Sequence, residues 1–400
     1  MRDFQYTARN NDGEIVKGQL EAQDESSAAK LLSSKGLFAV TIVAKSGASF
    51  SLFNKISLKE KSFFARQLAS TINAGLPITQ ALRIIRDQMT NKTFVEILDQ
   101  ITRDVEGGTQ LSASMARFPN VFAGVELALV EAGEASGTLD KSLARMATTL
   151  ENDYKINKKI KSAFAYPAFI LVVVCLVIVL MVLYVIPQMQ ALYDSFDATL
   201  PALTLAMLSF SGLMKTGGVY FVLFIAAIAF ALHYVVKKTV SGRYTWDKMK
   251  IKMPVINKFM RQIYAARFTR TMAGLIGSGV SIIDSLNITS AAIGNVIYRD
   301  FLLATTEKVK SGIPLSTPLK ESELFPPIAA QMLLVGEQTG EIDNMLTRLA
   351  DFFDEEVDNA VKSITSVIEP FIIVLMGGVV LILMLGIMLP IYKIGSAITY

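Results

Sequence analysis

In 400 residues the chain has one cysteine, one histidine and one tryptophan. With the single thiol of Cys175, no intramolecular disulfide can form and no thiolate metal site can be assembled. With His233 as the sole histidine, there is no H-E-x-x-H pair. The phosphate-cradling G-x-x-x-x-G-K-[ST] loop is absent, which excludes ATP binding of the P-loop kind. Gly277-Ser278-Gly279 begins like a dinucleotide fingerprint but lacks the third glycine and a preceding strand. No G-x-S-x-G elbow occurs. The net charge is only +4, and no basic tract interleaves with aromatics, so nucleic acid is not an expected partner. The first residues, MRDFQYTARNNDGE, lack the apolar core of a signal peptide. Catalysis and cofactor binding are therefore not expected.

What the chain has in excess is apolar length. It is 52% hydrophobic and 18% charged, with a mean hydropathy of +0.43. That balance suits soluble domains attached to a few membrane spans. Ala168 to Ile186 carries neither charge nor side-chain amide. With Phe164 to Pro167 it is long enough to cross a hydrocarbon layer about 30 Å thick at about 1.5 Å per helical residue. Lys155, Lys158, Lys159 and Lys161 crowd its leading end, which the positive-inside rule assigns to the cytoplasm. Val219 to Val236 and Phe371 to Leu389 are two further candidate spans. His233, near the cytoplasmic end of the second, is the one ionisable residue inside them.

Before the first span, Phe4, Tyr6 and Ala8 alternate with polar residues. Asn11-Asp12-Gly13 is a hairpin turn, Ile15 to Ala22 a returning strand, and Leu37 to Val43 a third strand after a short helix. From Ser57 the period becomes helical, with a capping box to Glu60. Helices are expected over Ile78 to Met89, Phe94 to Glu106, Leu111 to Arg117 and Phe122 to Ala135. Thr138 is expected to cap a long helix running into the span.

The chain then repeats itself. Arg66 aligns with Arg270 (270 − 66 = 204), Gly133-Glu134-Ala135-Ser136-Gly137 with Gly336-Glu337-Gln338-Thr339-Gly340 (337 − 134 = 203), and Pro167 and Pro187 with Pro370 and Pro390. The expected fold class is a mainly α membrane protein with two homologous cytoplasmic helical-bundle domains, three transmembrane helices and a small N-terminal ββαβ module. Its order is the module (1–45), a linker (46–56), a first helical domain (57–163) and a span (164–187). An outer loop with an amphipathic helix (188–216), a span (217–236), a second helical domain (237–369), a span (370–390) and an outer tail (391–400) follow. The middle span restores orientation, so both helical domains face the cytoplasm and the C-terminus ends outside.

Two groups of residues are candidate sites. Glu151 and Asp153 align with Asp354 and Glu356, and together could offer oxygen ligands to a cation; a solvated helix face is the plainer reading. The paired Gly-Glu-x-[Ser/Thr]-Gly turns read either as helix punctuation or as exposed partner contacts. In the second reading Glu134, Gly137, Glu337 and Gly340 would meet a partner, with Arg66 and Arg270 as further candidates.

Phe4-x-Tyr6-x-Ala8 followed by Gly13 and Gly18, the Phe64-Ala-Arg-Gln-Leu-Ala opening with Asn73-Ala-Gly-Leu-Pro-Ile78, and the repeated Gly-Glu-x-[Ser/Thr]-Gly turns resemble the GspF/PilC family over essentially the whole chain. These are inner-membrane platform proteins of type II secretion systems and type IV pili. Ser281 stands where the first repeat has Pro77, a small departure. The resemblance implies a non-enzymatic role in the bacterial inner membrane, coupling a cytoplasmic hexameric secretion or pilus ATPase to assembly of a pilus or pseudopilus. The partners it implies are that ATPase, pilin or pseudopilin subunits, other inner-membrane assembly components, membrane lipid and further copies of the chain. The alternative is a membrane subunit of a transporter driven by a separate ATPase, which would call for polar residues within the spans.

Overall fold

The computed structural model describes most of residues 2–44, then 55–188, scattered positions between 205 and 236, and 239–398 except 254–255. Two units are distinguished: residues 1–56 with Thr90–Phe94, and the remainder of the chain. In the first, β1 (Arg2–Arg9), β2 (Ile15–Ala22) and β3 (Phe38–Ala44) form an antiparallel sheet in the order β2-β1-β3. Phe4 pairs with Leu20 on one side and Ala44 on the other, and the register against β3 shifts between Thr7 and Ala8. The turn expected at Asn11 to Gly13 and most of the expected helix before β3 lie outside the described residues.

The second unit is helical. Its first lobe contains α1 (Leu58–Asn73), α2 (Ile78–Gln88), α3 (Lys92–Glu106, which belongs to this unit from Val95 on), α4 (Leu111–Ala116), α5 (Gly124–Ser136) and α6 (Leu139–Leu180). Then come α7 (Val240–Lys252) and the second lobe: α8 (Ile256–Gly277), α9 (Ile282–Ala292), α10 (Val296–Lys310), α11 (Ser316–Glu321), α12 (Pro327–Thr339) and α13 (Ile342–Ile398). Helices α1–α6 recur in order as α8–α13. In both lobes the opening helix packs on the long closing one, α1 on α6 and α8 on α13.

Local chemistry sets the boundaries. Ser57 and Glu60 exchange bonds at the start of α1: Ser57 N–H donates to Glu60 Oε2 at 2.7 Å, and Glu60 N–H to Ser57 Oγ at 3.2 Å. Pro77 precedes α2, and its repeat counterpart Ser281 caps α9 by accepting from Asp284 N–H at 3.1 Å. Thr138 occupies the position before α6 without capping it; its hydroxyl pairs with Ser136 Oγ at 2.7 Å instead.

Each lobe buries its own core. In the first, Phe64, Leu68, Leu82, Leu98 and Phe122 are fully enclosed, with Phe64 and Phe122 rings 5.8 Å apart. In the second, Phe325 gathers Phe268, Tyr298 and Phe301 at centroid distances of 4.9, 5.3 and 5.7 Å, a spacing favourable for tilted and edge-on ring pairs. The Tyr298 hydroxyl donates to Leu324 O at 2.6 Å, which satisfies its polar end inside that core.

The two closing helices run on into apolar segments. Leu139–Gln188 and Ile342–Met388 are long and apolar enough to cross a membrane. Most of their apolar side chains are not covered: Phe169, Val172 and Leu176, and Phe371, Ile373 and Val374, are all more than half exposed. Pro167 and Pro370 lie inside these helices, not at their ends. Just ahead of Pro187, α6 widens into a π turn over Met181–Val185, with Ile186 N–H donating to Met181 O. α13 runs through Pro390 and continues to Ile398. A proline removes one donor and kinks a helix, and apolar surroundings still favour helical backbone over unpaired peptide groups. The expected outer-loop helix (188–216) and middle span (217–236) fall largely outside the described residues.

Candidate functional site

The repeated Gly-Glu-x-[Ser/Thr]-Gly segments close α5 and α12, and each of three positions has a distinct job. The first glycine lets two helices approach: a Cβ on Gly133 would come within 2.7 Å of Ser142 Cβ, and one on Gly336 within 3.0 Å of Ile342 Cα. The last glycine takes the left-handed conformation that ends the helix, with φ of 69° at Gly137 and 76° at Gly340. The carboxylate between them reaches back to an earlier helix. Glu134 accepts from Leu111 N–H at 2.6 Å, from Ser112 N–H at 3.1 Å and from the Ser112 hydroxyl, which places a negative charge on the start of α4. Glu337 does the same for α11, accepting from Ser316 N–H at 3.3 Å and from Ser316 Oγ at 2.5 Å.

The aligned arginines also have equivalent partners. Arg66 forks onto Glu151 through Nε at 2.5 Å and Nη2, and Arg270 pairs with Asp354 and, at 3.4 Å, with Asp351. Glu151 and Asp354 are 203 residues apart (354 − 151). The ion pairs thus repeat, but their surroundings differ. The hydrogen bond from Arg66 holds the Glu151 carboxyl below its usual range. Burial pushes Asp354 above it, with the Arg270 charge acting in the opposite sense.

The difference arises because Arg270 sits between the lobes. A cavity of about 370 Å³ opens there, with Lys61, Glu126 and Asp153 contributed by the first lobe and Arg267, Arg270 and Asp354 by the second. Asp153 lies 3.7 Å from Arg267 Nε, and burial raises its carboxyl against the pull of that guanidinium. Asn152, with its amide turned to present the oxygen, accepts from Arg270 Nη1 at 2.8 Å and Nε at 3.0 Å. Arg145 crosses the same interface and donates to Ala273 O at 3.1 Å.

Of the candidate partner contacts, Gly137, Gly340 and Arg66 are exposed, Glu134 and Glu337 are engaged by helix starts, and Arg270 is held between the lobes. The four carboxylates considered for a cation face basic or amide groups: Glu151 faces Arg66, Asp153 Arg267, Asp354 Arg270, and Glu356 the Gln262 amide at 2.7 Å. Among the described residues no group of three or more acidic, histidine or cysteine side chains is arranged to hold a metal. Arg145, Asn152 and Arg267 were not among the sequence candidates. The signal that could have found them is their place on the two helices, α6 and α8, that the repeat sets side by side.

The family described as type II secretion system protein F matches residues 64–187 and again 268–390, and its N-terminal domain matches residues 1–43. The chain is 36% identical to a type IV pilus assembly protein PilC of Thermus thermophilus, over 98% of both chains. It is 35% identical to the PilC of Myxococcus xanthus, over 99% of this chain and 95% of that one. It is 28% identical to a type II secretion system protein F of Vibrio cholerae, over 99% of both. The twofold match falls on the two lobes with their apolar helices, and the chain therefore belongs to the type II secretion system protein F family.

Proposed function

We propose that the protein is a non-enzymatic inner-membrane platform that couples a cytoplasmic hexameric ATPase to assembly of a type IV pilus or type II secretion pseudopilus. The observation that carries this is the continuity of each lobe with an exposed, uncharged helix. Residues Leu139–Gln188 and Ile342–Met388 each join a packed helical lobe to an apolar stretch with no loop between. Exposed apolar surface of that extent is stable only when covered, and a lipid bilayer covers it without requiring polar partners. In this reading both lobes face the cytoplasm and contact the ATPase, while the apolar helices meet pilin subunits and other assembly components. The names of the relatives, pilus assembly protein and secretion protein F, support a place in such a machine.

The exposed ends of α5 and α12, around Gly137 and Gly340, are the ATPase contacts we favour. The test is capture of the secretion and pilus ATPases of its own cell by the full chain purified in detergent. Capture is expected, weakened by Ala135→Lys or Gln338→Lys, two exposed repeat-equivalent positions that leave the glutamate caps in place. Failure to capture any of those ATPases would sink the coupling role.

A further inference from the structure

The last turns before the two apolar segments face each other across a cleft of about 820 Å³. On α6, Lys155, Lys158 and Lys159 fall at i, i+3 and i+4, so they share one helical stripe. On α13, Asp358, Lys362 and Glu369 do likewise at i, i+4 and i+11. The two stripes are repeat equivalents: Lys159 corresponds to Lys362 (362 − 159 = 203) and Lys155 to Asp358. Lys159 Nζ bridges the cleft to Asp358, reaching Oδ2 at 2.5 Å. That pair is locally neutral. Three lysines, Lys155, Lys158 and Lys362, then remain in the lining against Glu369. All three are exposed. A turn or two further along, the surface becomes exposed and apolar at Phe164 and Phe169 on one helix and at Phe371 on the other.

A basic cleft that opens onto paired apolar helices matches a molecule with an anionic phosphate at one end and hydrocarbon at the other. We infer that this cleft is a binding site for the headgroup of an anionic phospholipid, its phosphate among Lys155, Lys158 and Lys362 and its acyl chains along the apolar faces. The inference rests on the membrane reading of α6 and α13. It goes beyond a general attraction of lysines to a negative leaflet, because the charges converge from two repeats on one cavity.

The test uses the full chain, first in a membrane-retention assay and then in nanodiscs of phosphatidylcholine with and without phosphatidylglycerol, read by native mass spectrometry and by titration with labelled phosphatidylglycerol. Wild type should retain phosphatidylglycerol selectively. The triple variant Lys155→Gln, Lys158→Gln, Lys362→Gln should weaken it by about a hundredfold, from about 1 kcal/mol per lysine at about 1.4 kcal/mol per tenfold. A control triple, Lys59→Gln, Lys92→Gln, Lys141→Gln, removes the same charge from exposed positions outside the cleft and away from the apolar segments, and should change retention by no more than about twofold. Equal loss in both triples, or none in the cleft triple, overturns the site and leaves the membrane reading intact. Competition by inorganic phosphate as strong as by the lipid also overturns it, since the site would then be one for free phosphate. Release of the chain from membranes by alkaline wash would overturn the membrane reading itself, and the site with it.

Discussion

The guanidinium of Arg145 occupies the space that a side chain on Gly277 would need. A Cβ built on Gly277 falls onto Arg145 Nη1, and the same nitrogen donates to Ala273 O at 3.1 Å. Gly277 thus has a packing reason unrelated to nucleotides, although its Gly-Ser-Gly context resembles the start of a dinucleotide loop. Because the obstructing atoms are the far end of a flexible side chain, Gly277→Ala should not unfold the protein. It should expel Arg145 from the interface and cost about 1 kcal/mol, the worth of the lost hydrogen bond. In a double-mutant cycle with Arg145→Ala, the second substitution should then add little. Additive losses in thermal melts would show that the two residues act independently.

The capping carboxylates give an unequal pair of outcomes. Glu134→Ala leaves Leu111 and Ser112 N–H groups without an acceptor, and about 1–3 kcal/mol of stability should be lost. Glu337→Ala should cost less, because its bonds to Ser316 N–H are longer, at 3.3 and 3.4 Å. Melting temperatures of the two variants, compared in one detergent, check the order.

Acid sensitivity should run in opposite directions at two carboxylates two residues apart. Glu151 is held below its unfolded value by the bond from Arg66, so its contribution is present above the unfolded pKa and is lost as pH falls through the folded one. Asp153 is raised by burial, so the folded state binds its proton more tightly; that contribution is present below the unfolded pKa and is lost as pH rises through the folded one. The expected result is that Glu151→Gln loses more stability at about pH 7 than at about pH 3, by at most about 1 kcal/mol for so exposed a pair. Asp153→Asn should improve slightly relative to wild type as pH rises over the acid range, the effect being limited because 37% of that side chain is exposed. Melting curves against pH for the two variants measure both slopes.

Phe325 anchors the ring cluster of the second lobe, and Phe325→Ala should cost about 3–5 kcal/mol. Since each lobe has its own core, the loss should appear in hydrogen exchange of α8–α13 before it appears in α1–α5. Simultaneous loss in both lobes would mean that they unfold as one body.

What could be read in the residues beforehand depended on how far each signal travels along the chain. Ser57 and Glu60 are three residues apart, and their exchange of hydrogen bonds is a local pattern that needs no knowledge of the fold. The repeat was legible because landmark residues such as Arg66 and Arg270, or Pro167 and Pro370, keep nearly the same separation. The partner of Glu134 was not legible, because Leu111 and Ser112 lie more than twenty residues upstream and meet it only once α4 folds against α5. Arg145 and Gly277 are farther apart still, and no periodicity in either segment refers to the other. Thr138 misled for a different reason, and Pro390 shows a related limit. A hydroxyl before a helix has competing partners, here Ser136, and a proline removes one donor without ending a helix whose other bonds remain.

The last helix has a mechanical consequence. Ile342–Ile398 is 57 residues of unbroken helix, or about 85 Å at 1.5 Å per residue. It is rooted in the second lobe through Leu346, Leu349 and Phe353. Packing holds it as far as Ile364, and a beam clamped over one stretch turns a small rotation at the clamp into a large sweep at the tip. A tilt of only a few degrees at Ile364 would carry the far end by a few ångströms, and Pro370, where one backbone bond is missing, is the place along the beam where compliance would concentrate.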